Sequence, residues 1–239
     1  MKALINAILD AFHPKRCISC GKITDEDYLC DYCSEMLEFT DPLKRCIKCG
    51  LLKKDCMCKY RVFTFNGCIS PFIKKDPAQR IMYSFKFRRK FRAAEFLANE
   101  MAFCVKNEYR DINFDGVCFV PMHKSRKRVR GFNQSEVLAE RIAKILSLPI
   151  INALSCVKSA HSQHKIKDYK ERFKNVKGIY KANGTFGGKT LLLVDDIMTT
   201  GATLNECAAV LLRAGADKIY CVTALRTDKN DKKKLKDGK

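Results

Sequence analysis

The chain is 239 residues long, 46% hydrophobic, and carries 46 Lys and Arg against 26 Asp and Glu, a formal charge of +20. That length suits one large domain with a full core plus a small one. No apolar run approaches the twenty or so residues that span a bilayer, which excludes a transmembrane helix, and the cationic excess points to a polyanionic partner, with compositional drift toward Lys as the competing explanation.

In chain order, MKALINAILDAFHP places Leu4, Ile5, Ile8, Leu9 and Phe12 on one helical face. A signal peptide is the rival reading, but Asn6 and Asp10 interrupt the apolar run and no small-residue cleavage site follows. A short amphipathic helix and a cytoplasmic protein are expected.

Eight of the fourteen cysteines then fall in pairs: Cys17/Cys20 with Cys30/Cys33, and Cys46/Cys49 with Cys56/Cys58. Two Cys-x-x-Cys-Gly turns, each followed by another close pair, have the spacing of zinc knuckles. Gly21 and Gly50 permit the positive φ that such turns need. Four thiolates close a tetrahedral shell, so one or two Zn2+ ions here would be structural rather than catalytic. The segment has too few large apolar residues to fold by burial alone, so the metal must supply folding energy. Sequential quartets are the simpler pairing; an interleaved one and an iron–sulfur cluster are the alternatives. Two four-thiolate zinc sites would leave the chain at roughly +16. Cys68, Cys104, Cys118, Cys156, Cys207 and Cys221 read as ordinary buried thiols.

Lys59–Ser70 alternates Val62, Phe63, Phe65 and Ile69 with polar residues and reads as a strand. Asp76-Pro77 opens a helix to about Phe87. Around it Arg80, Lys86, Arg88, Arg89, Lys90 and Arg92 interleave with Tyr83, Phe85, Phe87 and Phe91. Cations for phosphates and rings for bases suit a single-stranded nucleic acid; an aromatic core stripe with a solvated basic face is the competing reading. Residues 93–108 continue as a helix with Phe96, Leu97, Met101 and Val105 inward. Val117–Val120 is a buried strand. Five of the seven residues Lys124–Arg130 are basic and follow it as a loop facing the crevice at the strand's carboxyl end. Gln134–Leu146 is the next helix and Leu148–Ile151 a short strand.

Ser155–Tyr180 is polar and basic; its His161 and His164 are candidate proton carriers or metal ligands, with plain solvation as the alternative. Val176–Tyr180 reads as a strand. Leu191–Val194 is the most apolar strand of the chain, closed by Asp195 and Asp196. Ile197–Gly201 is expected to loop into a helix from about Thr203. Thr199, Thr200, Gly201, Ala202 and Thr203 present backbone N–H groups and hydroxyls at a helix N-terminus, which suits a phosphate. The two acids across from them can accept sugar hydroxyls. Ile219–Leu225 is the last strand, and 227–239 a disordered basic tail.

LLLVDDIMTTGAT, at 191–203, resembles the phosphoribosyl-pyrophosphate (PRPP) motif of type I phosphoribosyltransferases. Adding the paired cysteines, Arg126, Arg130, Gly131, Phe132, Asn133 and Gln134, and then Gln163, Arg172, Asn175, Val176 and Gly178, the chain resembles the ComF competence family, which includes ComFC and GntX-like proteins. The one departure is the Cys56-Met57-Cys58 spacing. The resemblance implies an α/β fold: a type I phosphoribosyltransferase-like parallel sheet with helices on both faces. It follows a small N-terminal double zinc-ribbon module over 1–60, and itself occupies 61–226. It also implies that the 155–180 segment closes over a pyrophosphate, and that the protein handles single-stranded DNA during natural transformation, alongside DNA-uptake machinery proteins.

Two functions are expected. The first is a single-stranded DNA-binding protein with Arg126, Arg130, Arg88 and Arg89 on phosphates, of the nucleic acid or of a pyrophosphate. The second is a phosphoribosyltransferase using PRPP with Mg2+, Asp195 and Asp196 holding the ribose and Thr199–Thr203 the 5′-phosphate. No residue is assigned as catalytic and no acceptor site is identified.

Overall fold

In the computed structural model, which describes residues 14–56, 58–158 and 169–227, the sheet is built around β6 (Thr190–Met198). β3 (Gly116–Phe119) and β7 (Lys218–Arg226) flank it in parallel, and β1 (Gly67–Ile69) and β2 (Phe72–Ile73) share the far edge of β7. The order is β1/β2–β7–β6–β3, all parallel, so every carboxyl end lies along one edge. The expected N-terminal helix, His161, His164 and Gln163, and the tail from 228 onward lie outside the described residues.

Side-chain alternation explains why Leu191–Val194 is apolar at every position. Leu192 and Val194 enter one core with Val117, Phe119 and Val222, while Leu191 and Leu193 enter the other with Cys118, Ile219 and Cys221. The first core is covered by α2 (Ala78–Arg88), α3 (Phe91–Glu108) and α5 (Gln134–Leu146), the second by α7 (Ala202–Arg213). A parallel sheet buried on both faces needs such continuous runs.

Several expectations are corrected. β6 runs four residues past Val194, so Ile197 and Met198 are strand, because β7 extends equally far and pairs them with Leu225 and Arg226. The stretch 59–66 is not strand: Thr64 bonds Asn205 of α7 instead of a neighbouring strand. Leu148–Ile151 contributes one bridge, Ile150 to Val117, since Pro149 has no N–H to extend a ladder. Residues 169–176 form a helix, α6 (Tyr169–Val176), and strand resumes only at β5 (Tyr180–Ala182), antiparallel to β4 (Leu154–Cys156). Gly178, at φ +71°, makes the reversal between them.

The cysteine segments pack into these same cores. Cys17, Ile18, Leu29 and Cys33, the last on α1 (Asp31–Glu35), join Ile81, Phe85 and Leu97, and Ser84 Oγ donates to the Ile18 carbonyl at 3.3 Å. Cys49 and Leu51 join Phe63, Phe65 and Leu211. Buried Arg45 pairs with Glu108 at the end of α3, and Arg226 donates to the Gly50 carbonyl at 2.8 Å. Gly50 sits at φ +67°, and a Cβ there would lie 2.6 Å from the Cys68 carbonyl oxygen. Gly50→Ala is therefore expected to lower stability by about 2 kcal/mol or more, read as a lower midpoint in urea unfolding at unchanged slope.

Candidate functional site

Asp195 and Asp196 lie in the carboxyl half of β6, on opposite faces of the strand, and meet different partners. Asp195 accepts from Ser135 Oγ at 2.8 Å and from the Asp196 N–H at 2.8 Å. Ser135 is placed by the start of α5, where the Asn133 side chain accepts the Ser135 N–H at 3.2 Å and donates to the Val120 carbonyl at 3.0 Å. Burial, then the charge of Asp196, pushes the Asp195 carboxyl up to about 7 against the opposing pull of Ser135 and Lys86. Asp196 forms an ion pair with Lys86 of α2 at 2.5 Å, with both side chains largely buried. Ser135 and Lys86 carry no motif signal of their own; only the fold brings them to the acids.

The turn 199–201 then feeds α7. Gly201 caps the helix at φ +75°, and Ala202 N–H reaches Thr200 Oγ1 at 3.4 Å. The segment after the second cysteine group buttresses this turn. Thr64 donates its N–H to Asn205 Oδ1 at 2.8 Å and its hydroxyl to the Asn205 carbonyl at 2.9 Å. The Phe63 ring lies 3.2 Å from where a Gly201 Cβ would stand. The loop of hydroxyls and N–H groups at the positive end of a twelve-residue helix is thus held in place a few residues past the acidic pair.

Lys124–Arg130 was expected as a loop and is a helix, α4, because both ends are capped. His123 Nδ1 accepts the Ser125 N–H at 3.3 Å, and Gly131, at φ +89°, closes the other end with its N–H on Lys127. Arg130 lies over the Phe87 ring at 5.0 Å and donates to Gln134 Oε1 at 3.0 Å. The Arg89 guanidinium packs on Gly131. Arg88 ends α2 and is exposed. The charge of Arg126 is felt instead at Cys156 and Tyr180 of the β4–β5 pair. Arg89 and Arg130 are therefore brought together, with Arg126 one turn earlier on α4.

The aromatic positions divide. Phe85 is fully buried, whereas Tyr83, Phe87 and Phe91 are 53%, 57% and 48% exposed. Tyr83 and Phe87 pair at 4.8 Å between centroids, and Phe91 rests on Phe132 at 5.9 Å. Exposed rings among Arg80, Arg88, Arg89, Lys90 and Arg92 leave the core-stripe reading to Phe85 alone.

The cysteines assemble as the sequential quartets Cys17/Cys20/Cys30/Cys33 and Cys46/Cys49/Cys56/Cys58, sulfurs all within 4.8 Å of one another. Four sulfurs about 2.3 Å from one tetrahedral ion stand roughly 3.8 Å apart; Cys20–Cys30, Cys46–Cys58 and Cys49–Cys56 measure 3.7, 3.8 and 3.8 Å. Gly21 and Gly50 have the positive φ their turns require. Burial opposes ionisation of Cys17, but N–H groups of Cys20, Cys30 and Ser19 aimed at its sulfur bring its thiol down to about 6. Both quartets could hold a metal ion, and the tight spacing of Cys56 and Cys58 is no obstacle.

The parallel sheet, with an acidic pair on its central strand and a glycine-capped loop leading into the next helix, is a type I phosphoribosyltransferase-like fold. The family model described as "Phosphoribosyl transferase domain" matches residues 133–239. "Competence protein F" of Haemophilus influenzae is 28% identical over 60% of this chain and 66% of its own length, just under two thirds. "Competence protein ComFC" of Streptococcus pneumoniae is 28% identical over 84% of this chain and 89% of its own. "DNA utilization protein YhgH" of Escherichia coli O157:H7 is 28% identical over 63% and 68%. The chain is thus similar over much of its length to proteins named for competence and DNA utilization, and it carries a phosphoribosyltransferase-like domain. No helix among the described residues is long and apolar enough to cross a membrane.

Proposed function

We propose that the protein binds single-stranded DNA and handles it during natural transformation, in the cytoplasm and beside DNA-uptake proteins. The exposed aromatic–basic face of α2, α4 and the start of α3 carries this reading: Tyr83, Phe87 and Phe91 are available for base stacking, and Arg88, Arg89 and Arg130 for phosphates. The relatives' names, which concern competence and DNA utilization, support it. Base–aromatic stacking contributes about 1–3 kcal/mol per base. Tyr83→Ala/Phe87→Ala is thus expected to weaken binding of a labelled oligonucleotide by tenfold or more in fluorescence anisotropy. Wild-type affinity should fall steeply with salt. Affinity that ignores salt, or survives loss of both rings, counts against the reading.

A phosphoribosyl ligand in the β6 pocket is the companion reading, favoured by the acids facing a helix-capped loop. Asp195 and Asp196 would accept ribose hydroxyls, Thr199, Thr200, Gly201, Ala202 and Thr203 would hold the 5′-phosphate, and Mg2+ would bind the pyrophosphate of PRPP. As an enzyme, the protein would transfer phosphoribose from PRPP to an acceptor. The quartets would hold structural Zn2+, fitting their all-thiolate donor set and single-ion sulfur spacing.

A further inference from the structure

The two knuckles share one build but differ in charge. Lys15–Glu35 contains five acids against three bases, whereas Lys44–Arg61 contains seven bases against Asp55 alone. Holding a metal does not explain this. A divalent ion in four thiolates leaves both quartets at about −2, yet only the second is surrounded by cations.

The bases of the second knuckle are gathered spatially. Lys48, Lys53, Lys54 and Lys59 line a groove of about 600 Å³ together with Arg45, Ile47 and Tyr60, and no carboxylate lines it. Arg45 is committed to Glu108, but Lys53, Lys54 and Lys59 are exposed to solvent. Tyr60 and Ile47, 81% and 76% exposed, put apolar surface beside the ammonium groups. Clustered ammonium groups beside an open ring, outnumbering the charge of a metal-bound quartet, are what a phosphodiester chain with unstacked bases needs.

We infer that the groove of the second knuckle is a further contact for single-stranded nucleic acid, Lys53, Lys54 and Lys59 meeting backbone phosphates and Tyr60 stacking on a base. This rests on the single-strand reading above and extends it to the other side of the sheet. The second knuckle packs into the core covered by α7, whereas Tyr83 and Phe87 project from α2 over the opposite core. The groove leads through Arg61 into Phe63 and Thr64, which buttress the phosphate loop. A strand touching both contacts must pass from one face of the sheet to the other, so the groove matters only to strands long enough to do so.

The test compares wild type with Lys53→Ala/Lys54→Ala/Lys59→Ala on oligonucleotides of about 8 and about 24 nucleotides. Each lost phosphate contact lowers the log–log salt slope by about 0.7 on a single strand. The expected result is a slope smaller by roughly 2 and an affinity at least tenfold weaker for the long strand, with the short strand unaffected. Unchanged metal content and melting temperature certify the fold. Independently, a 5-iododeoxyuridine strand should photocrosslink to Tyr60 in the wild type. An unchanged slope with no crosslink at Tyr60 overturns the inference while leaving the α2 face intact. A wild type that binds neither oligonucleotide overturns the single-strand reading itself.

Discussion

Cys33→Ala, or stripping metal from the wild-type protein with a chelator, is expected to abolish cooperative unfolding near room temperature. Cys17 and Cys33 are fully buried in the core that also contains Ile81, Phe85 and Leu97. A structural zinc site contributes an apparent ~10–16 kcal/mol in small peptides, against a total stability of about 5–15 kcal/mol for a typical domain. If the quartet holds an ion, losing it would leave four thiols packed at contact distance with nothing to satisfy them, and would free α1 and the first turn from α2 and α3. Circular dichroism melts with and without chelator, beside metal content by mass spectrometry, decide the matter. A metal-free chain with an unchanged midpoint would show that burial alone holds the segment. Cys56→Ala is expected to cost less, because Arg45–Glu108 and Arg226–Gly50 still tie the second segment down.

Asp195→Asn is expected to raise stability at neutral pH and, on the phosphoribosyl reading proposed above, to abolish PRPP binding. The folded chain holds the Asp195 proton up to about 7, against an ordinary carboxylate value of 3.8. Between those values the folded state binds more protons than the unfolded one. Stability from this group is therefore complete below about pH 4, is lost as pH rises toward 7, and stays lost above it. The full loss is on the order of 4 kcal/mol. Asn keeps an Oδ1 to accept from Ser135 and the Asp196 N–H but removes the buried charge. The variant should melt higher than wild type at pH 8 and lose this group's pH dependence between 4 and 7. Calorimetry with PRPP and Mg2+ should show the reverse: heat for wild type, none for the variant. Gained stability with lost binding marks a residue kept for function. A wild type already silent toward PRPP would mean that the pocket serves another ligand.

Much of this site lies in contiguous residues. The strand, the acids and the glycine-capped turn follow one another from Leu191 to Thr203, so local order alone keeps the acids and the helix N-terminus close together. The quartets are equally local: the spacing within each pair sets the turn, and Gly21 and Gly50 supply the φ it needs. Where the reading of the sequence missed, a distant partner decided. β6 runs on through Met198 because β7 is there to pair it, and 59–66 leaves the sheet because Asn205 takes the Thr64 hydrogen bonds. α4 replaced a loop because His123 and Gly131 cap a run whose charge alone suggested none.

The sequence by itself determined the apolar run of the central strand, the close pairing of the eight N-terminal cysteines and the cationic surplus. Each depends on residues within a few positions of one another, where chain geometry leaves little freedom. Only the tertiary structure decided which acid meets Lys86 and which meets Ser135. It also decided that Phe85 turns inward while Tyr83 and Phe87 face solvent, and that the two knuckles pack into opposite cores. Those outcomes depend on contacts between residues far apart in the chain, and local periodicity carries no record of them.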